Sequence, residues 1–148
     1  MEAVILIGLQ AAGKSTFYLR RFFRTHVRIN MDMLGTKHRE RLLLDACLAG
    51  KQPFVIDKVN AAATDRATYI HLAKAAGFHV VGYYFQSKLD DCLARNAARP
   101  EAEQVPDMAI LGTYKRLQLP SPAEGFDRLY YVRTTTSEFV VEEWRDEV

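Results

Sequence analysis

Three observations predict an α/β fold, three layers deep around a central, mostly parallel sheet. Short unbroken apolar runs such as "AVILIG" and "FHVVGYYF" have no polar face and read as strands covered on both sides. Longer segments with apolar residues at helical spacing alternate with those runs, as they do where parallel strands are joined by crossover helices. The first apolar run also stops at a glycine-bounded turn that passes directly into a helical pattern. In sheets of this kind, ligands gather at the carboxyl ends of the strands.

Each element follows from its own residues. After "AVILIG", the segment from Lys14 to Arg24 places Tyr18, Leu19, Phe22 and Phe23 at helical spacing, with Arg20, Arg21 and Arg24 on the other side. "VRIN" reads as a second strand and "GTKHRERLLLDACLAG" as a helix closed by Gly50. "QPFVID" is a third strand ending in a carboxylate. "NAAATDRATYIHLAKAAG" is rich in helix-forming alanine, carries Tyr69, Ile70 and Ala73 on one face, and stops at Gly77. "FHVVGYYF" is the next strand. Ser87 and Asp90 have the spacing of a capping box that opens the helix "KLDDCLARNAAR", which Pro100 ends. "PEAEQVP" is a loop, "DMAILGTYKRL" a helix, "QLPSPAEGFD" a loop and "RLYYV" a strand. The tail "SEFVVEEWRDEV" reads as helix or strand, with helix the expectation. No repeat or linker interrupts the pattern, so residues 1–148 are expected to form a single domain.

The bulk properties narrow the function classes. A chain of 148 residues, 49% hydrophobic and 26% charged, suffices for one core without disulfides or structural metal. The net charge of +2 does not by itself call for a nucleic-acid partner, although basic residues crowd "LRRFFRTHVR" and "TKHRER". Cys47 and Cys92, and the four histidines, stand at no metal-ligand spacing and read as reduced thiols and ordinary imidazoles. "AVILIG" lacks the basic flank and length of a signal peptide, and no run approaches the roughly 20 apolar residues of a membrane helix. The expected location is cytoplasmic, or nuclear in a eukaryote, with no membrane partner.

"GLQAAGKS" matches GxxxxGK[ST] at every specified position and lies between a strand and a helix, where the mechanism of a P-loop needs it. Gly8, Leu9, Gln10, Ala11, Ala12, Gly13, Lys14, Ser15 and Thr16 are therefore the expected nucleotide-binding residues. Backbone N–H groups and the helix start cradle phosphates, Lys14 reaches the outer ones, and Ser15 binds Mg²⁺. ATP and Mg²⁺ are the expected cofactors.

The phosphoryl acceptor is read from other strand ends. Asp32 follows "VRIN", placed to take the proton of an attacking hydroxyl, and Arg39 follows, placed to fix a second anionic group. Spacing alone equally allows Asp32 as a turn or cap residue and Arg39 as a solvated helix position. Asp57 ends "QPFVID", where it would hold Mg²⁺ or anchor an arginine. The aromatic clusters Phe22, Phe23 and Tyr83, Tyr84, Phe85 are expected in the core rather than stacked on bases.

The segments "GLQAAGKSTF", "INMDMLGTKHR", "VIDKVNAAATDRATYIHLAKAAG", "RNAAR", "VPDMAI" and "SPAEGFD", in that order, resemble the kinase domain of polynucleotide 5′-hydroxyl kinases. The resemblance implies Asp32 as general base, Lys14 and Ser15 on ATP·Mg²⁺, and Arg39 on a phosphate of the acceptor strand. It implies Arg95 and Arg99 as arginines over the ATP phosphates, in a lid of about residues 88–106, with Arg99 also acting in catalysis. The pair also reads as i and i+4 on one helix face, which a solvated basic face would equally explain. Where the family pattern has D-N-T-N, this chain has "DKVN", keeping Asp57 and Asn60 but placing Lys58 and Val59 between them. Asn60 then reads as a helix cap, and Arg66 as a family position or a surface residue. No DxDG[TV] phosphatase motif and no ligase domain are found in the chain, so the expectation is either the kinase step alone or reliance on separate phosphatase or ligase partners. The substrate implied is the 5′-OH end of DNA or RNA. Two other readings stay open: a kinase for a nucleoside, sugar or antibiotic, and a nucleotide-binding regulator without transfer. Only transfer needs a base at Asp32.

Overall fold

In β1 (Glu2–Ile7), Ala3 to Ile7 are buried, and their side chains alternate between two cores. Ala3, Ile5 and Ile7 face one cluster, Val4 and Leu6 the other, as the period of two requires. A computed structural model describes residues 1–135 and 138–146. The further strands are β2 (Val27–Ile29), β3 (Phe54–Asp57), β4 (His79–Phe85), β5 (Arg128–Thr134) and β6 (Phe139–Glu143). The helices are α1 (Lys14–Arg21), α2 (Met31–Leu34), α3 (Lys37–Ala49), α4 (Ala63–Ala75), α5 (Leu89–Ala98) and α6 (Asp107–Arg116), with short 3₁₀ turns at Glu101–Glu103 and Pro122–Glu124.

The sheet runs β2-β3-β1-β4-β5-β6. Its first five strands are parallel, and β6 is antiparallel to β5. β1 therefore lies between β3 and β4, where the winding changes direction, and the loop after it opens at the switch point. α3 and α4 cover one face through Leu44, Cys47, Tyr69, Ile70 and Ala73. The other face is covered by α1, α5 and α6 through Phe17, Tyr18, Cys92 and Ile110. Both cysteines are free and buried, and burial pushes both thiols up.

Four sequence expectations are corrected. The tail is a strand rather than a helix: Phe139 and Val141 pack on one face and Trp144 on the other, and the edge of β5 supplies the partner that a two-residue period needs. Ser137, Glu147 and Val148 of that expectation lie outside the described residues. α1 stops at Arg21, because the Phe22 N–H still reaches Tyr18 O while Thr25 and His26 both donate to Phe22 O and close a turn. Phe22 is core as expected, but Phe23 and Leu19 are 64% and 60% exposed. Ser87 does not cap α5: its hydroxyl donates to Phe85 O at 2.7 Å and accepts from Leu9 N at 3.1 Å, and α5 opens after Lys88 without a side-chain cap.

Candidate active site

Gly13, at φ 103°, precedes the first residue of α1, a conformation that L side chains rarely adopt. A Cβ there would also meet the Phe139 ring at 3.0 Å. The loop from Gly8 to Gly13 is tied down on several sides. Gly8 N donates to Val59 O at 3.0 Å, Leu9 N to Ser87 Oγ, Gln10 Nε2 to Thr113 Oγ1 at 3.0 Å, and Thr134 Oγ1 to Ala12 O at 3.1 Å. Lys14 is buried and folds over the loop, with Nζ donating to Gly8 O at 2.9 Å and Leu9 O at 2.6 Å. Desolvation lowers its pKa to about 8 against the opposing pull of Asp57, and the charge of Arg99 lowers it slightly further. An anion placed beside this amine would restore its charge.

Ser15 opens the first turn of α1 and reaches the end of β3: its Oγ donates to Asp57 Oδ2 at 2.9 Å. Asp57 is 2% exposed. A hydroxyl and a carboxylate brought together this closely are hard oxygen donors of the kind Mg²⁺ takes, and they fit it. Among the described residues no group of three His, Cys, Asp or Glu side chains is placed to hold a metal alone, so the remaining ligands would be phosphate oxygens and water.

The sequence reading passed over Arg28. From β2, its Nε donates to Asp57 Oδ2 at 2.8 Å and its Nη2 to Ser15 Oγ at 3.0 Å, closing a ring of three hydrogen bonds. The available signal was a single charged residue between the β-branched Val27 and Ile29, one residue from the strand end.

Asn30 links the second and third strand ends. Its Nδ2 donates to Asp57 O at 2.8 Å, and its Oδ1 accepts from Met33 N and caps α2. Asp32 sits in the first turn of α2 and is exposed, without a hydrogen bond or ion pair among the described residues. Arg39 is also exposed and donates from Nη1 to Leu34 O at 3.1 Å, which brings it back onto the end of α2. Thr36 caps α3.

Arg95 and Arg99 line one cavity of about 270 Å³ with Ala11, Gly13, Thr16 and the strand-end residues Thr134 and Thr135. They do not share a helix: α5 ends at Ala98, and Arg99, at ψ 155°, already runs extended toward Pro100. Asn96 closes the segment by exchanging hydrogen bonds with the backbone of Val105 at 2.7 and 3.0 Å.

The "DKVN" segment is structural at its end. Asn60, at φ 46°, does not cap α4; it donates from Nδ2 to Leu6 O at 2.7 Å, and its buried Oδ1 has no partner among the described residues. Arg66 is no surface residue. It is 0% exposed, pairs with Glu124 at 2.8 and 3.1 Å, and donates to the carbonyls of Asn60, Ala61 and Gln118. Lys58 donates to Glu40 Oε2 at 3.2 Å and to Tyr69 OH at 2.7 Å. Burial and the adjoining Glu40 carboxylate push the Tyr69 hydroxyl well up, so it stays protonated and donates to Glu40.

Comparison with known proteins agrees with this architecture. Over 129 residues the chain is 27% identical to a bifunctional polynucleotide phosphatase/kinase of Schizosaccharomyces pombe, a match that takes in 84% of this chain and 32% of that protein. The chain thus spans about a third of the length of the curated relative it matches. Chaetomium thermophilum Kti12 in complex with ADP-AlF3 superposes with a TM-score of 0.65 at 16% identity, covering 88% of each chain. Mycobacterium tuberculosis APS kinase CysC in complex with AMPPNP and APS does so with a TM-score of 0.58 at 17% identity, covering 93% of this chain and 89% of that one. At such identities the likeness is one of fold, the α/β P-loop kinase fold. The model of the AAA domain family matches residues 4–120, a span that takes in the P-loop, Asp32, Asp57 and Arg99, and the chain belongs to that family.

Proposed function

We propose that this protein is an ATP-dependent phosphotransferase that moves the γ-phosphate to a hydroxyl, and that the hydroxyl is the 5′-OH end of a DNA or RNA strand. The observation that carries the reading is the junction of three strand ends. The Ser15–Asp57 pair lies beside Lys14, and Asn30, bonded to the Asp57 backbone, stands two residues before Asp32. A regulator that only bound nucleotide would need no carboxylate at that position. The 27% identity to a polynucleotide phosphatase/kinase supports the choice of acceptor. In this reading residues 1–148 act as one kinase unit with about residues 88–106 as its lid.

Lys14 and the loop amides hold the β- and γ-phosphates, and Ser15 and Asp57 hold Mg²⁺, which neutralises phosphate charge when bound. Asp32 accepts the proton of the attacking hydroxyl as its oxygen bonds to the γ-phosphorus. The bond from that phosphorus to the β-phosphate oxygen breaks, and ADP carries away the electron pair. Arg99, with Arg95, stabilises charge on the transferring group, and Arg39 holds a phosphate of the acceptor. A second reading, a small phosphorylated acceptor in place of a strand, is favoured by the cavity of about 550 Å³ between α3 and α4.

The test is labelled ATP with 5′-OH oligonucleotides of DNA and RNA, nucleosides, sugars and no acceptor. Label on the oligonucleotide 5′ end is expected; label on none of them refutes the transferase. Asp32→Asn should bind ATP normally yet lose roughly 10²-fold or more in transfer, the scale of general-base removal. Arg39→Ala should damage transfer to a 5′-OH oligonucleotide or nucleoside 3′-phosphate far more than to an acceptor lacking that phosphate. Equal damage on both counts against a polynucleotide acceptor.

A further inference from the structure

A cavity of about 550 Å³ opens between α3 and α4, and neither the P-loop, Asp32 nor Arg39 lines it. Helical spacing creates it: Lys37, Glu40, Arg41 and Leu44 fall at i, i+3, i+4 and i+7 of α3 and share the face lining it. Lys58 and Arg116 complete its cationic lining; Arg41 is paired at 2.9 Å with Asp45, which does not line the cavity, so Lys37, Lys58 and Arg116 stand against Glu40 and Asp65. Both carboxylates are already engaged. Glu40 accepts from Lys58 and Tyr69, while Asp65 accepts from Ala62 N at 3.0 Å and lies 3.8 Å from Arg116. Lys37 has no ion pair among the described residues, and an ammonium such as that of Lys58 has three N–H groups, two of them used here. Asn60 also lines the cavity. The wall is coupled to the nucleotide loop, because Val59 O accepts from Gly8 N.

An open-sided cleft with excess positive charge favours an anion, and this volume is in the range of small-molecule sites. We propose that the cavity is a subsite for a further phosphate of the acceptor, distinct from the one assigned to Arg39, with Lys37 and Lys58 as its anion contacts and Glu40 and Tyr69 holding Lys58 in place. The proposal rests on the phosphotransferase reading and adds where a phosphate-bearing part of the acceptor sits. Lys58, the departure from the D-N-T-N pattern, would then set which acceptors are used.

The experiment saturates the protein with Mg²⁺ and AMPPNP, so that the P-loop is filled, and titrates a 5′-OH dinucleotide ending in a 3′-phosphate, whose two phosphates can engage Arg39 and the cavity, and a sugar monophosphate by calorimetry. Saturable binding is expected, with whichever probe binds more tightly naming the source of the phosphate. Lys37→Met and Lys58→Met should each weaken it about tenfold, the effect of one lost charge-assisted hydrogen bond. Unchanged binding in both variants overturns the subsite, as does a loss seen with Arg39→Ala but with neither lysine variant. Lys58→Met also strips Glu40 of its cation; if it fails to fold, the exposed Lys37→Met decides alone. Binding needs no turnover, so phosphate binding that depends on the lysines, without transfer to any acceptor, removes the kinase reading and leaves the subsite. Transfer with an acceptor KM untouched by Lys37→Met does the reverse.

Discussion

Lys14 couples the chemistry of the site to pH. Burial holds its pKa near 8, whereas bound phosphate favours the ammonium form, so above that pH binding must take up a proton. The affinity for ATP·Mg²⁺ should therefore fall by up to about tenfold per pH unit above about pH 8. Calorimetry in buffers of different ionisation enthalpy should detect proton uptake at about pH 9 and little at about pH 6.5, and a flat profile would show that the charge is not used. The ligand-free protein should behave in the opposite sense. Between about 8 and the ordinary 10.5 the unfolded chain holds a proton that the native one does not, so this group adds stability as pH rises through that window. Arg28 makes a second prediction at this scale. It and Ser15 both donate to the buried Asp57 carboxylate, so Arg28→Ala should lower ligand-free stability by about 1–3 kcal/mol, with Arg28's partial exposure favouring the lower end. Mg²⁺ with nucleotide should recover most of that loss, because the cation replaces the lost charge. Melting temperatures across a Mg²⁺ titration check it, and a loss that Mg²⁺ leaves unchanged makes Arg28 purely structural.

At the scale of elements, the loop between β3 and α4 is held by one side chain from the helix it precedes. Arg66 reaches back from α4 to the carbonyls of Asn60 and Ala61, across to Gln118, and on to Glu124 in the turn before β5. With no exposure, it cannot be replaced by water. Arg66→Met should cost about 3–5 kcal/mol in denaturant unfolding, the range for breaking a buried pair from one side. A cost below about 1 kcal/mol would mean that the pair contributes little more than an exposed one. The "RNAAR" segment shows the same division of labour at its own scale. Asn96 closes the turn onto Val105, and that turn sets where Arg99 leaves α5 toward the cavity beside Thr134 and Thr135.

For the whole molecule, the candidate site is assembled from the ends of β1, β2 and β3 with the segments after β4 and β5, so a ligand there clamps much of the sheet. ATP·Mg²⁺ at about 100 times its Kd should stabilise the protein by about 2.7 kcal/mol, a melting shift of roughly 5–10 °C for a chain of this size. Lys14→Ala should lose that shift. A shift of the same size in the variant would place the nucleotide elsewhere. Among the described residues no helix is long and apolar enough to cross a membrane.

The α/β class, the order of most elements and the phosphate loop were legible because each is written locally. A period of two or of 3.6 appears within a few residues, and Gly8 to Ser15 is contiguous. Asp57 was legible because the end of an apolar run marks the end of a strand. What remained depends on residues brought together from far apart along the chain. Arg28 meets Asp57 across 29 positions, Tyr69 meets Glu40 across 29, and Arg66 meets Glu124 across 58. No local period encodes such pairings, since they follow from the strand order β2-β3-β1-β4-β5-β6 and from the helices laid on it. "EFVVEEW" is the clearest case. Its pattern suits either period, and only the free edge of β5, with unpaired N–H and C=O groups to satisfy, turned it into a strand.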